Sequence, residues 1–107
     1  KIMNYNIFCY VNKKKQIALT KKNETSFLKN CNLPLIKKIK NENTIDKDWR
    51  FLKNYKNSIS NLNLNINLYY KFTNRIPKSF NWYSLKNNKE FIPSFTKRIF
   101  NQLSILF

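Results

Sequence analysis

The 107-residue chain has no glycine and no histidine, a single alanine and a single valine, and five acidic residues against twenty-one Lys and Arg. Each scarcity closes a route. Without Gly there is no Gly-rich phosphate loop, and backbone positions needing positive φ fall to the next most tolerant residue, Asn. General acid and base chemistry needs His or a tuned carboxylate pair. The only carboxylate side chains are Glu24, Glu42, Asp46, Asp48 and Glu90, and they form no persuasive pair. The chain therefore reads as a binder, neither an enzyme nor a receptor for a small-molecule substrate. Cys9 and Cys31 stand apart with no Cys-x-x-Cys pair, so zinc lacks its usual ligand spacing. No metal or other cofactor is expected. No run reaches the ~18 to 20 apolar residues of a membrane helix, so membrane insertion is not expected. The first ten residues show neither the apolar core of a secretory leader nor the Arg-rich pattern of a transit peptide.

What is abundant is Asn, Lys, Ile, Phe and Tyr, residues whose codons are built from A and T. This points to an A/T-rich coding sequence of the kind organellar genomes carry, and synthesis inside an organelle would account for the missing address. Such a bias inflates Lys, but it explains the scarcity of Glu less well. The formal net charge is +16 and the pI near 10.1, a self-repelling balance that a polyanion relieves and the electrostatic footprint of a nucleic-acid binder.

Asn61 to Leu68 alternates polar and apolar residues without a slip, which is the period of an extended segment. From Tyr69 to Arg75, aromatics and cations interleave, as on surfaces that bind nucleic acid. Residues 1–12 read as an extended arm. Lys13-Lys14-Lys15 opens a patchy helical pattern reaching Asn30, carrying Lys21 and Lys22, and Leu33-Pro34 interrupts it. Thr44 then reads as an N-cap, with Asp46 and Asp48 in the first turn and Ile45, Trp49, Leu52 and Tyr55 at helical spacing. Trp49 is assigned to the core. Residues 75–93 form an aromatic loop. Pro93, with Ser94 or Thr96 as cap, launches a C-terminal amphipathic helix with Phe95, Ile99, Leu103 and Leu106 on one face. Lys97 and Arg98 near its N-terminal end oppose the helix dipole unless an anion binds there.

Thr73-Asn74-Arg75, followed by Thr96-Lys97-Arg98-Ile99-Phe100-Asn101-Gln102-Leu103, resembles the universal small-subunit ribosomal protein fourteen family in its zinc-free mitochondrial form. That family carries a Thr-Gly-Arg turn and then a helix opening Ser-Arg-x-x-Phe-Arg-Glu-Leu. Lys13 to Leu28 is similar to its basic first helix, and Asn32-Leu33-Pro34 to the break after it. The chain departs from the family by about ten additional residues between Arg75 and Thr96. The resemblance implies a structural constituent of the mitochondrial ribosome, in the matrix, bound to ribosomal RNA and to neighbouring proteins in the head of the small subunit.

These readings combine into one expected architecture: a single, mainly α, non-globular domain over 1–107, with an extended arm at 1–12, helices over 13–57, an extended segment and aromatic loop over 58–93, and a helix over 94–107. Lys13, Lys14, Lys15, Lys21, Lys22, Lys71, Arg75, Lys78, Lys97 and Arg98 are the expected phosphate contacts, with Tyr70 stacking on sugars or unpaired bases. The alternative is a basic accessory subunit of an organellar respiratory-chain complex, using its aromatic loop and C-terminal helix for protein contacts.

Overall fold

The computed structural model describes residues 2–23, 25–39, 45–84 and 91–107. In chain order the elements are β1 (Ile2–Val11), β2 (Ile17–Leu19), β3 (Leu35–Lys38), β4 (Arg50–Ile59), β5 (Leu62–Phe72), β6 (Asn81–Tyr83) and α1 (Ser94–Leu103), closed by a 3-10 turn over Ser104–Leu106. The six strands make one mixed sheet, with the path β4-β5-β1-β2-β6 and β3 paired to β1. β1 lies at its centre. It runs parallel to β5 from Ile2↔Asn63 to Val11↔Phe72, and its other edge pairs antiparallel with β3 at Tyr5 to Phe8 and with β2 at Val11.

Register decides which residues share a face. In β1, Met3, Tyr5, Ile7, Cys9 and Val11 point to one side, and the first four are level with Leu64, Ile66, Leu68 and Tyr70 of β5. Phe95, Ile99, Phe100 and Leu103 of α1 join them in a single apolar cluster. The stripe of α1 recurs every three or four residues, the spacing that aims one helix face at a sheet. Helix and sheet are further fastened at Asn32, which is buried. Its carbonyl accepts the Thr96 hydroxyl at 2.7 Å and its side-chain amide donates to the Phe91 carbonyl at 3.1 Å.

The mainly α expectation is overturned: α1 is the only α-helix among the described residues and most ordered residues are in strands. Nor is the chain non-globular. Its radius of gyration is 13.1 Å, the value of a compact domain of about this length. Residues 1–12, expected as an arm, supply the central strand, and its middle is buried on both faces, which erases the polar-apolar alternation of a half-exposed strand. In place of the expected basic helix at 13–30, the described residues form a tight turn, the short β2 and irregular chain. The helix expected around Trp49 to Tyr55 is β4, where the register slips between Phe51 and Lys53. That bulge inserts an extra residue and spaces the core-facing Leu52 and Tyr55 three apart, which imitates a helix. Thr44, its expected cap, lies outside the described residues. The loop expected over 75–93 contains β6.

The extended reading of 61–75 corresponds to β5. That strand is internal, paired on both edges. The C-terminal helix stands where its spacing put it. Pro93 occupies the N-cap with no side-chain cap bond, and Thr96, expected as a possible cap, is instead tied to Asn32.

Candidate nucleic-acid interface

The polar side of the sheet has two zones. Toward the N-terminal end of β1, asparagines form a hydrogen-bonded ladder. Asn54 donates to Asn65 and Asn67 at 3.0 and 2.8 Å, and these donate to Asn4 at 2.9 Å and Asn6 at 3.3 Å. Toward the C-terminal ends of β1 and β5 the ladder gives way to aromatics. Phe8 stacks on Tyr69 with ring centroids 5.3 Å apart, Trp49 meets Phe8 and Tyr10 edge-on at 5.0 Å each, and Phe80 closes on Tyr10 at 5.6 Å. Lys71 lays its ammonium 4.8 Å from the Trp49 ring and 5.5 Å from that of Tyr10, within cation–π reach. Burial raises the Tyr10 phenol above its ordinary value, so it stays neutral beneath that cation.

Beyond the aromatics, this end of the sheet is a pole of cations. The turn joining β1 to β2 is organised by Asn12, which is buried. Its Oδ1 accepts the backbone N–H of Lys14 at 3.0 Å and of Gln16 at 3.1 Å, and its Nδ2 donates to Gln16 Oε1 at 3.0 Å. Lys15 takes φ 62°, and Lys13, Lys14 and Lys15 are all exposed. Alongside, the Thr73 N–H donates to the Val11 carbonyl at 2.9 Å. The Thr73 hydroxyl accepts the Arg75 N–H at 3.1 Å, which fixes the turn that presents Arg75. Lys78 follows in the loop that returns to Phe80 on Tyr10. Across β5, Arg50 and Lys71 border an open cleft of about 690 Å³, lined also by Asp48, Tyr70, Phe72 and Thr73.

Of the residues expected to bind nucleic acid, Lys13, Lys14, Lys15, Tyr70, Lys71, Arg75 and Lys78 are brought to this one pole. The others are not. β2 runs away from the pole, so Lys21 and Lys22 lie ~13 Å of extended chain from it. Lys97 and Arg98 sit on α1, and Arg98 donates to Asn57 Oδ1 at 2.8 Å, toward the β4–β5 hairpin at the opposite end. Tyr70 packs partly against the apolar cluster and edge-on to Phe72 at 6.1 Å, a position that limits stacking on a base. Sequence reasoning missed Arg50, hidden in the supposed helix, and Asn12. The latter had a signal, an Asn directly before a run of lysines where an Asx turn is a standard solution.

No family model matches the chain, and no curated protein matches it. A solved structure does. The fold resembles the C-terminal domain of mouse MUTYH. That domain, solved in complex with human PCNA, superposes with a TM-score of 0.68 at 8% sequence identity, over 96% of this chain and 88% of that one. At this identity the likeness is one of fold. Among the described residues no group of three or more His, Cys, Asp or Glu is placed to hold a metal ion, and no helix is long and apolar enough to cross a membrane.

Proposed function

We propose that the chain is a non-catalytic nucleic-acid-binding domain that grips the phosphate backbone of duplex DNA, and that it serves as the accessory module of a longer protein. The observation that carries this reading is the pole at which the Lys13–Lys15 turn, Arg50, Lys71, Arg75 and Lys78 converge, with Asp48 the acidic residue in its cleft. Backbone-directed binding of this kind needs cations held on a rigid surface and little else. Duplex is favoured over single strands because Phe8, Tyr10, Tyr69, Phe80 and Trp49 pack against one another, whereas readers of unpaired bases need free ring faces. The Thr73 hydroxyl, the hydroxyl beside Arg75 at this pole, already accepts the Arg75 N–H and donates to the Arg75 carbonyl, which leaves its proton engaged rather than free for a ribose 2′-hydroxyl. The accessory role draws on the fold likeness, since the MUTYH fragment is a C-terminal domain that makes a complex with another protein.

A second reading, the ribosomal RNA-binding constituent of a mitochondrial small subunit, keeps two supports. Thr73-Asn74-Arg75 does form a turn, and Ser94–Leu103 is a helix. Its basic first helix, however, is a turn and a strand. Fluorescence anisotropy with a labelled DNA duplex, an RNA duplex and an RNA stem-loop of matched length separates the readings. Preference for the DNA duplex is expected. Exclusive binding to the stem-loop would favour the ribosomal reading, and no binding to any of them in 50 mM salt would remove both.

A further inference from the structure

β4 ends the sheet on its side, and among the described residues no strand pairs with its outer edge. Its neighbour β5 is joined to it by a two-residue turn, Ser60-Asn61, closed by the pair Ile59↔Leu62, with Ser60 at φ 52°. The closing pair of such a hairpin exchanges main-chain hydrogen bonds, and bonded pairs then alternate along the ladder. Ile59, Asn57, Tyr55 and Lys53 therefore direct their N–H and C=O groups at β5. Ser58, Lys56 and Asn54 turn theirs outward, ready for another strand.

Two further features select what that strand is. Arg50, Lys53 and Lys56 on β4 are exposed, and the described carboxylate side chains are only Asp46 and Asp48, outside the strand. Lysines on an open edge discourage pairing between like chains, and a second copy of a chain of +16 is repelled as a whole. An acidic strand is attracted by the same charges. At the hairpin end of β4, Leu28, Ile59, Phe91 and Phe95 line a cleft of about 350 Å³ with Arg98 on its border, and Phe91 is 74% exposed.

We infer that the outer edge of β4 is a docking site for an acidic, extended segment of a partner protein, which joins the sheet as a seventh strand and lays one apolar side chain in the cleft beside Ile59 and Phe91. Main-chain bonds to Asn54, Lys56 and Ser58 supply the attachment, alternate carboxylates on the polar face of the added strand meet Lys56 and supply the selectivity, and Lys53 and Arg98 on the helix face add to the attracting field. The bonded positions Asn54, Lys56 and Ser58 lie beyond Arg50, the one residue of β4 at the cationic pole, so strand addition is read separately from DNA binding.

The test uses the full chain, labelled with 15N, and a synthetic ten-residue peptide alternating Glu and Val and ending in Phe. Amide exchange is expected to slow by about tenfold or more at Asn54, Lys56 and Ser58 but not at Tyr55 and Asn57, whose N–H groups are already bonded. The resonances of Ile59 and Phe91 should shift as well. The Lys53→Glu/Lys56→Glu double variant, whose fold is checked by its own amide spectrum, should lose the Glu/Val peptide about tenfold or more and accept a Lys/Val peptide instead. Protection without alternation, or equal binding of a poly-Glu peptide that lacks valine and phenylalanine, would reduce the effect to diffuse charge attraction and overturn the strand-addition inference.

Discussion

Replacing Lys13, Lys14 and Lys15 together by Gln tests the pole where its geometry is best defined. The turn is held by Asn12 through main-chain and Gln16 contacts, so the lysine side chains are free to change without unfolding it. Counting Lys13, Lys14, Lys15, Arg50, Lys71, Arg75 and Lys78 as phosphate contacts, the slope of log K against log salt is about −6 for the parent, from roughly −0.9 per contact. With three contacts removed it becomes about −3.6. Raising salt fourfold, from 50 to 200 mM, should then weaken DNA binding by ~6,000-fold in the parent and only ~150-fold in the variant. Anisotropy titrations at four or five salt concentrations read both slopes. A Lys97→Gln variant, at the other end of the molecule, should keep the parental slope. An unchanged slope in the triple variant, or an equal loss in Lys97→Gln, would refute the assignment of binding to this pole.

Four further outcomes follow from particular contacts. Thr96→Val removes the buried 2.7 Å bond to the Asn32 carbonyl and should cost about 1–3 kcal/mol in urea unfolding; a loss of less than half that would mean the carbonyl finds another donor. Ile66→Ala, at a fully buried position in the middle of β5, should cost ~2–5 kcal/mol by the same assay, a large share of the stability of so small a domain. Ser60→Gly relieves a positive φ and should raise stability by about 1 kcal/mol, seen as a higher melting temperature. Burial holds the Cys9 thiol well above its ordinary value of about 9, so above that pH the unfolded chain releases a proton that the folded chain keeps. The unfolded state then binds fewer protons, and stability should fall by up to ~1.4 kcal/mol per pH unit. Cys9→Ala should remove that part of the slope in melts between pH 8 and 10.5. The Tyr55 phenol, also raised chiefly by burial, should still add its own loss in the more alkaline melts.

The parts of the fold visible in the sequence are those where one side stays in contact with solvent. β5 showed itself because Asn63, Asn65 and Asn67 sit on a polar face while Leu64, Ile66 and Leu68 are buried, and α1 because Phe95, Ile99 and Leu103 recur at helical spacing. β1 concealed itself for the opposite reason. Asn6 and Phe8 are buried along with Ile7 and Cys9, so its centre has no alternation to read. β4 was misread because a single bulge converted a spacing of two into three. Even the missing glycines were only partly informative. The described positive-φ positions are Lys15, Leu28, Asn30 and Ser60, so one falls on Asn and three on residues that tolerate it less well, where the turn geometry outweighs the local cost.

The site was legible as chemistry and not as geometry. Lys13–Lys15 and Arg75 are remote in sequence, and they meet because β1 and β5 run parallel in register until Val11 faces Phe72. No local pattern announces a parallel pairing over that separation. The aromatic content misled in a more instructive way, since Tyr69 and its neighbours beside Lys71 were read as a stacking surface for bases. In the folded chain the rings satisfy one another, and Lys71 caps them with its charge, so the same residues that suggested base recognition instead build a rigid platform under the cations. Rigidity is what such a pole requires. Cations fixed at defined positions lose less side-chain freedom on meeting a phosphate than cations on a mobile arm, so each retains more of its attraction as binding free energy. Under the proposed DNA-binding reading, the aromatic cluster contributes to affinity without touching the ligand.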